Sequence, residues 1–271
     1  MLFSIVIVNF NTGKYLEQAI QSVLRQTCQD YELIIVDGGS KDESVGIIAK
    51  YDDKLAWWVS EPDKGQSDAF NKGFSHAKGE FYLWLNADDL LFPTALEKAK
   101  EAILRHPDYK WFFGNSLYIN KDGVIVHNSR GCNMPLSIVK HAHTLPCGPS
   151  TFFHKDLFKK FGPFDVDLHY TMDGDLWRRF VNGGAKYRMI NSFCWVFRLH
   201  EESKTSGVFL GGVNEKVVKE NKHQDEKNGV KLLPFHLAYE KIKRIIFCYP
   251  IIAFNKIRFK NKNISDLMPI R

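Results

Sequence analysis

Residues 3–10 read FSIVIVNF and residues 32–36 read ELIIV. Each is a short, unbroken apolar run rich in β-branched residues, the pattern of a strand buried on both faces. The first breaks at NFNTG, and Tyr15, Ala19, Ile20, Val23 and Leu24 then recur at helical spacing. The second closes at Asp37-Gly-Gly-Ser, after which Ser40 is expected to cap a helix reaching about Lys50. Working outward, residues 56–60 form a shorter strand, 67–77 a helix and 81–85 (FYLWL) a fourth strand. Pro93 then suits the first turn of a helix ending near His106. Four alternations of strand and helix predict a mostly parallel central sheet flanked by helices, an α/β fold.

The pattern then changes. Residues 111–120 and 124–129, separated by KDG, read as a β-hairpin. A Pro/Gly/His-rich stretch at 130–149 reads as a long functional loop. A short strand at 151–154, helices at 156–161 and 173–182, and a strand at 193–199 follow. Beyond Gly212 the chain turns helical and polar, then basic and apolar. The expected division is a main domain over 1–206 and a basic, helical C-terminal extension over 207–271.

The 271 residues are 44% apolar and 25% charged, enough to bury a core without staples and too apolar for disorder. No run of 18 apolar residues suggests a membrane span, and MLFSIVIVNFNT lacks the basic start of a signal peptide. The five cysteines are scattered without CxxC spacing, so neither a disulfide framework nor a zinc site follows. These features predict a cytoplasmic chain. Residues 241–271 hold eight Lys or Arg and one acid, Asp266, a surplus that exceeds the net +6 of the whole chain. The main domain is therefore close to neutral, and no nucleic-acid partner is expected.

In an open parallel sheet, ligands lie beyond the carboxyl ends of the strands. Polar clusters stand at all four: Asn9, Asn11 and Thr12; Asp37 with Ser40; Glu61 and Asp63; Asn86, Asp88 and Asp89. Turn chemistry explains any one of them, but not four converging on a single crevice. The absence of GxGxxG after the first strand disfavours a dinucleotide oxidoreductase, and the absence of GxxxxGK[ST] removes P-loop enzymes.

The ordered series SIVIVNFN, IIVDGGSKDES, EPDKGQSDAFNKG, LWLNADD, MDGDLWRR and FRLHEESKT resembles glycosyltransferase family 2, over roughly residues 1–205. The resemblance implies a type A glycosyltransferase fold and an inverting, metal-dependent transfer of sugar from a nucleotide-diphosphate donor. The implied acceptor is a glycan or lipid-linked saccharide, in cell-surface polysaccharide synthesis. Carried over residue by residue, Asp37 is implied to hold the nucleobase, where a charged acceptor suits the imide N–H of a UDP- or dTDP-type donor. Asn9, Asn11 and Asp68 are implied to contact the nucleoside. Phe70 stands where the family commonly has Arg.

Asn86-Ala-Asp88 occupies the place of the DxD motif, which holds Mn²⁺ or Mg²⁺ against the charge developing on the leaving diphosphate. A neutral amide binds metal weakly, so Asp88 is the expected ligand, with Asn86 left to a ribose hydroxyl and Asp89 to the sugar or a helix cap. Asp173 matches the general base, with Asp175 as the alternative and Met172 where the family has Glu. An in-line displacement needs one carboxylate to take the acceptor proton and no covalent nucleophile. His200 is implied to share the metal, with Arg198 and Lys204 as phosphate neighbours, and residues 147–151 to shape the acceptor pocket. Trp177, one turn after Asp173, either flanks the acceptor or packs in the core. The competing classes are a non-catalytic sugar-nucleotide or carbohydrate-binding module and a sugar-1-phosphate nucleotidyltransferase; NFNTGK lacks the basic glycine-rich loop of the latter.

The tail surrounds IIFCYPIIAF (245–254) with positive charge. This run is too short to span a bilayer and is broken by Pro250. An interfacial element on an anionic membrane face is expected, with packing against the main domain as the alternative.

Overall fold

The computed structural model describes residues 1–140, 148–204, 214–229 and 233–268. Strands β1 (Phe3–Asn9), β2 (Tyr31–Asp37), β3 (Trp57–Ser60) and β4 (Phe81–Asn86) pair in parallel in the order β3-β2-β1-β4. Their alternation explains why each run is apolar throughout. Phe3, Ile5, Ile7, Leu33, Ile35, Leu83 and Leu85 point into one core, and Val6, Val8, Ile34, Val36, Tyr82 and Trp84 into the other. Helices α1 (Gly13–Leu24), α2 (Ser44–Ala49) and α4 (Ala95–Arg105) contribute to the first core, and α3 (Gln66–Ser75) to the second. The register aligns Asn9 with Asp37, Asp37 with Ser60 and Val8 with Asn86, so the polar strand ends form one line across the sheet.

The sheet continues β4-β8-β6-β9-β5 through β5 (Leu90–Leu91), β6 (Trp111–Asn120), β8 (Thr151–His154) and β9 (Tyr187–Leu199). β7 (Ile125–Ser129) is the expected hairpin partner of β6. β8 runs antiparallel between β4 and β6, whereas β6 and β9 are parallel. Three elements depart from expectation. β9 begins at Tyr187 rather than 193, its pairing with β6 broken by register shifts around Phe113 and Ser116. β5 has two residues, pairs with Val196 and Trp195, and exists only because β9 is there to receive it. Ser40 does not cap α2, which starts at Ser44 with Glu43 at its N-cap.

After α5 (Leu136–Val139) and α6 (Lys155–Phe161), α7 (Met172–Asn182) lays Leu176, Trp177 and Phe180 into the second core. Trp177 is fully buried and stacks on Trp84 at 5.5 Å between ring centroids, so it is core and not an acceptor platform. The C-terminal region holds α8 (Glu215–Lys227), α9 (Pro234–Phe247), α10 (Tyr249–Arg258) and a short turn at Ile264–Asp266.

The boundary at 206/207 lies outside the described residues, and the described part of the extension packs on the main domain. Glu220 on α8 accepts from the backbone N–H groups of His169, Tyr170 and Thr171 at 2.8–3.2 Å. Asn228 donates to Asp175 at 3.0 Å. Phe259, Ile264 and Met268 are buried in a third core with Leu117, Ile119, Ile125 and Val196.

Candidate active site

Beyond the line of strand ends lies a cleft of about 1010 Å³. Among the sequence-nominated residues, Asn9, Thr12, Asp63, Asn86, Asp88, Asp173 and Lys204 line it. The others stand around it, and their partners say what they do.

Asp37 is fully buried beneath the cleft. Its Oδ1 accepts from Asn9 Nδ2 at 2.6 Å and Ser40 Oγ at 2.5 Å, and its Oδ2 from Ser40 N at 2.9 Å and Ser60 Oγ at 2.6 Å. Burial pushes the carboxyl upward, but these bonds outweigh it and hold the pKa below 3.8. A carboxylate accepts about four hydrogen bonds, so Asp37 has none left for a base. Its implied base contact is therefore revised: Asp37 ties β1, β2 and β3 together. Gly39, at φ +80°, makes the turn that brings Ser40 back onto it.

Asp63, at the end of the EPD segment after β3, does line the cleft. Its Oδ1 accepts from Gly65 N at 2.7 Å. Its Oδ2 lies 2.8 Å from where a Cβ on Gly38 would stand, and Phe10 Cδ2 lies 3.2 Å from the same point. Any side chain at 38 would displace this carboxylate. Burial, with repulsion from Asp68 and Asp37, raises the Asp63 pKa despite the Gly65 bond. Phe10, 63% exposed, stands beside it as a bare aromatic wall. The sequence carried a signal here, since Gly38 removes a side chain and Asp63 closes a strand, but not that the two meet.

Asn11 and Asp68 do not reach the cleft. Asn11 adopts φ +49° and accepts from Lys41 N at 2.8 Å, while Asp68 accepts from Lys64 N at 3.0 Å. Both set loop conformation. Asn9 lines the cleft, with its amide nitrogen spent on Asp37 and Ser40. Asn86 accepts from Gln66 Nε2 at 2.6 Å and donates to Asp89 Oδ2 at 3.0 Å.

Asp88 and His200 meet, Oδ2 to Nε2, at 2.9 Å. The pairing of β5 with β9 draws the strand-four loop against the end of β9. Arg198 then fixes it, donating from Nε to the Asp88 carbonyl at 2.9 Å and from a terminal nitrogen to Gln18 Oε1 at 2.7 Å. Its guanidinium sits 4.6 Å over the Tyr15 ring. Arg198 is 3% exposed and is not among the residues lining the cleft, so it positions Asp88 rather than meeting phosphate. Asp89 is completely buried, accepts from Arg198 N at 3.0 Å, and is raised well above its ordinary pKa by burial and by Asp88. It braces the loop and does not face a sugar. Lys204, with Nζ 3.5 Å from Gln66 Oε1, is the cationic side chain of the nominated set that lines the cleft.

Asp173 opens α7, its Oδ1 accepting from Gly174 N at 2.8 Å. Burial raises its pKa, partly offset by the N–H groups of Gly174 and Gly148. Asp175, the alternative base, is buried, paired with Arg179 at 2.8 Å and bonded by Asn228. It faces the protein, leaving Asp173 as the carboxylate on the cleft. Gly148 and Pro149 line the wall near Asp173; Cys147 of the same loop lies outside the described residues.

The sequence model of the family described as "Glycosyl transferase family 2" matches residues 4–161. An uncharacterized glycosyltransferase of Rickettsia typhi is 33% identical over 196 residues, covering 69% of this chain and 60% of that protein. One from Mycobacterium tuberculosis is 31% identical over 176 residues, covering 63% of this chain and 65% of that one. The match thus spans less than two thirds of either relative. Among solved structures, Staphylococcus aureus TarS 1-349 in complex with UDP-GlcNAc superposes at a TM-score of 0.64 with 20% identity, over 98% of this chain and 78% of that one. A mannosyltransferase from Pyrobaculum calidifontis, in complex with GDP-Man and Mn²⁺, gives 0.57 at 15% identity, over 99% of this chain and 81% of that one. At those identities the likeness is one of fold. With the family model covering more than half of its length, the chain belongs to glycosyl transferase family 2 and has the type A glycosyltransferase fold.

Proposed function

We propose that this protein is an inverting glycosyltransferase taking a sugar from a UDP- or dTDP-type donor to a hydroxyl of a glycan or lipid-linked saccharide, in polysaccharide synthesis at the cytoplasmic membrane face. One observation carries the reading: Asp88, held by His200 behind it, and Asp173 line the same cleft, which has the volume for a nucleotide sugar. A non-catalytic module has no use for both.

Asp88 and His200 suit Mn²⁺ or Mg²⁺. Their donor atoms, Oδ2 and Nε2, stand 2.9 Å apart, close enough that one ion would take both. Hard cations bound through one or two side chains take their remaining ligands from water and substrate phosphates. Such an ion supplies Lewis-acid stabilisation of the leaving diphosphate. Arg198 holds the Asp88 backbone in place, and Lys204 adds a positive charge beside the same phosphates.

At the other end, Asp63 Oδ2 accepts the imide N–H of uracil or thymine, with Phe10 against the base. Asp173 accepts the proton of the acceptor hydroxyl as its oxygen bonds to the anomeric carbon and the bond to the diphosphate oxygen breaks. Its raised pKa makes it a stronger base than an exposed aspartate. The test is a panel of nucleotide sugars and saccharide acceptors with Mn²⁺, read by nucleotide release and by NMR of the product. A product of inverted configuration is expected. Retained configuration defeats the mechanism, and donor binding without turnover on any acceptor returns the chain to a binding module.

A further inference from the structure

Helices α9 and α10 turn large apolar side chains toward solvent. On α9, Phe235, Tyr239, Ile242 and Ile246 follow at i, i+4, i+7 and i+11, a single stripe along one face. Phe235 is 73% exposed and Ile242 57%, and on α10 Phe254 and Ile257 reach 64% and 77%. Elsewhere among the described residues, large exposed hydrophobics are scattered singly. The outward facing is fixed from beneath. Leu237 and Ile252 pack on the second core, Cys248 is buried, and the Ile252 carbonyl accepts from Asn128 Nδ2 at 3.2 Å. Lys243 Nζ donates to the Asn133 carbonyl at 2.6 Å.

Exposed Lys241 lies on α9, Lys256 and Arg258 on α10, and Lys260 and Lys262 just beyond its end. The one acid on the two helices, Glu240, is paired with Arg244 at 3.0 Å. Among the described residues, no helix is long and apolar enough to cross a membrane. A contiguous apolar patch of this kind marks an interaction surface.

We propose that the outer face of α9 and α10 docks onto the surface of an anionic bilayer. The apolar stripe enters the boundary between headgroups and acyl chains, and the flanking lysines and arginines meet lipid phosphates. Charge selects this occupant over a second copy of the chain. Apposing the same face of two copies would bring two uncompensated basic sets together, whereas an anionic leaflet is complementary to one. The inference does not depend on the reading of the cleft, because lipid binding is measured without turnover.

The experiment is flotation of the full-length protein with phosphatidylcholine vesicles, with and without phosphatidylglycerol. Binding to the anionic vesicles at low salt, released as salt rises, is expected. Phe235→Ser with Phe254→Ser should weaken binding at least about tenfold. Lys256→Gln with Lys260→Gln should weaken it by about 25-fold, at about fivefold per charge removed. These side chains are exposed, so an unchanged melting temperature checks that each variant is folded. A Phe254→Trp reporter should shift to the blue and be quenched by brominated lipid. No binding to anionic vesicles overturns the proposal, as does binding insensitive to the two serine substitutions. Self-association in sedimentation that those substitutions abolish, without vesicle binding, assigns the face to a second copy instead.

Discussion

Asp88 and His200 are 112 positions apart in the chain and 2.9 Å apart in space. The contact depends on β5, two residues long, pairing with the far end of β9, and on Arg198 gripping the Asp88 carbonyl. The proposed diphosphate end of the cleft is thus built by strand pairing between Leu90–Leu91 and the far end of β9.

Removing either partner should cripple turnover and metal affinity together. Asp88→Ala is expected to lower kcat/KM by roughly 10²–10³, the scale of losing a main charge-stabilising element. Mn²⁺ binding in the presence of UDP, followed by calorimetry, should weaken in both Asp88→Ala and His200→Ala. Full activity in EDTA would show that the pair serves another purpose.

Asp173→Asn keeps the shape of the side chain and abolishes proton acceptance. Donor binding should persist while kcat falls by about 10²–10⁴. The pH profile carries a further sign. Burial raises the Asp173 pKa above 3.8, so the base is lost as pH falls through that raised value. The acid limb of kcat/KM should therefore lie above the range of an exposed aspartate, and be missing from the residual activity of the variant. Because Asp175 is ion-paired, Asp175→Asn should destabilise the fold and leave the position of that limb unchanged.

Asp63 and Asp37 should separate binding from stability. Asp63→Asn is expected to weaken UDP by about 1–3 kcal/mol and to leave the melting temperature nearly unchanged. Asp37→Asn removes a fully bonded buried carboxylate and should cost roughly 1–3 kcal/mol of stability. The Asp37 pKa is lowered in the folded state, so its contribution is complete above the unfolded value and fades as pH falls through the folded one. Wild type should lose stability below about pH 4 more steeply than Asp37→Asn, by thermal melts across pH. If Asp37→Asn instead leaves stability intact and abolishes UDP binding, Asp37 is the base contact after all.

Glu220 links the C-terminal region to the proposed base. Its carboxylate accepts three backbone N–H groups just ahead of α7, the helix that presents Asp173. Glu220→Ala should cost about 1.5–3 kcal/mol of stability and reduce kcat more than donor affinity. Equal losses in the two kinetic terms would mean that α8 steadies the whole cleft and not the Asp173 end.

Much of this protein was legible in the sequence. The two-sided apolar runs of β1, β2 and β4 admit only a covered, mostly parallel sheet, and the polar residues at their carboxyl ends had to line up once the strands paired in register. Asp88, Asp173 and His200 could be nominated because residue type and motif order are local properties of the chain. What remained hidden was how each lone pair and N–H is used. Asp37 and Asp63 are both carboxylates at strand ends, but one is filled by four donors and the other is left open by a missing side chain at Gly38. Arg198 and Asp175 read as free charges until their partners, Asp88 and Gln18 for one and Arg179 and Asn228 for the other, come into contact. Sequence determines which groups are present. Only tertiary packing decides which are already satisfied by the protein, and a polar group that is satisfied has nothing left to offer a ligand.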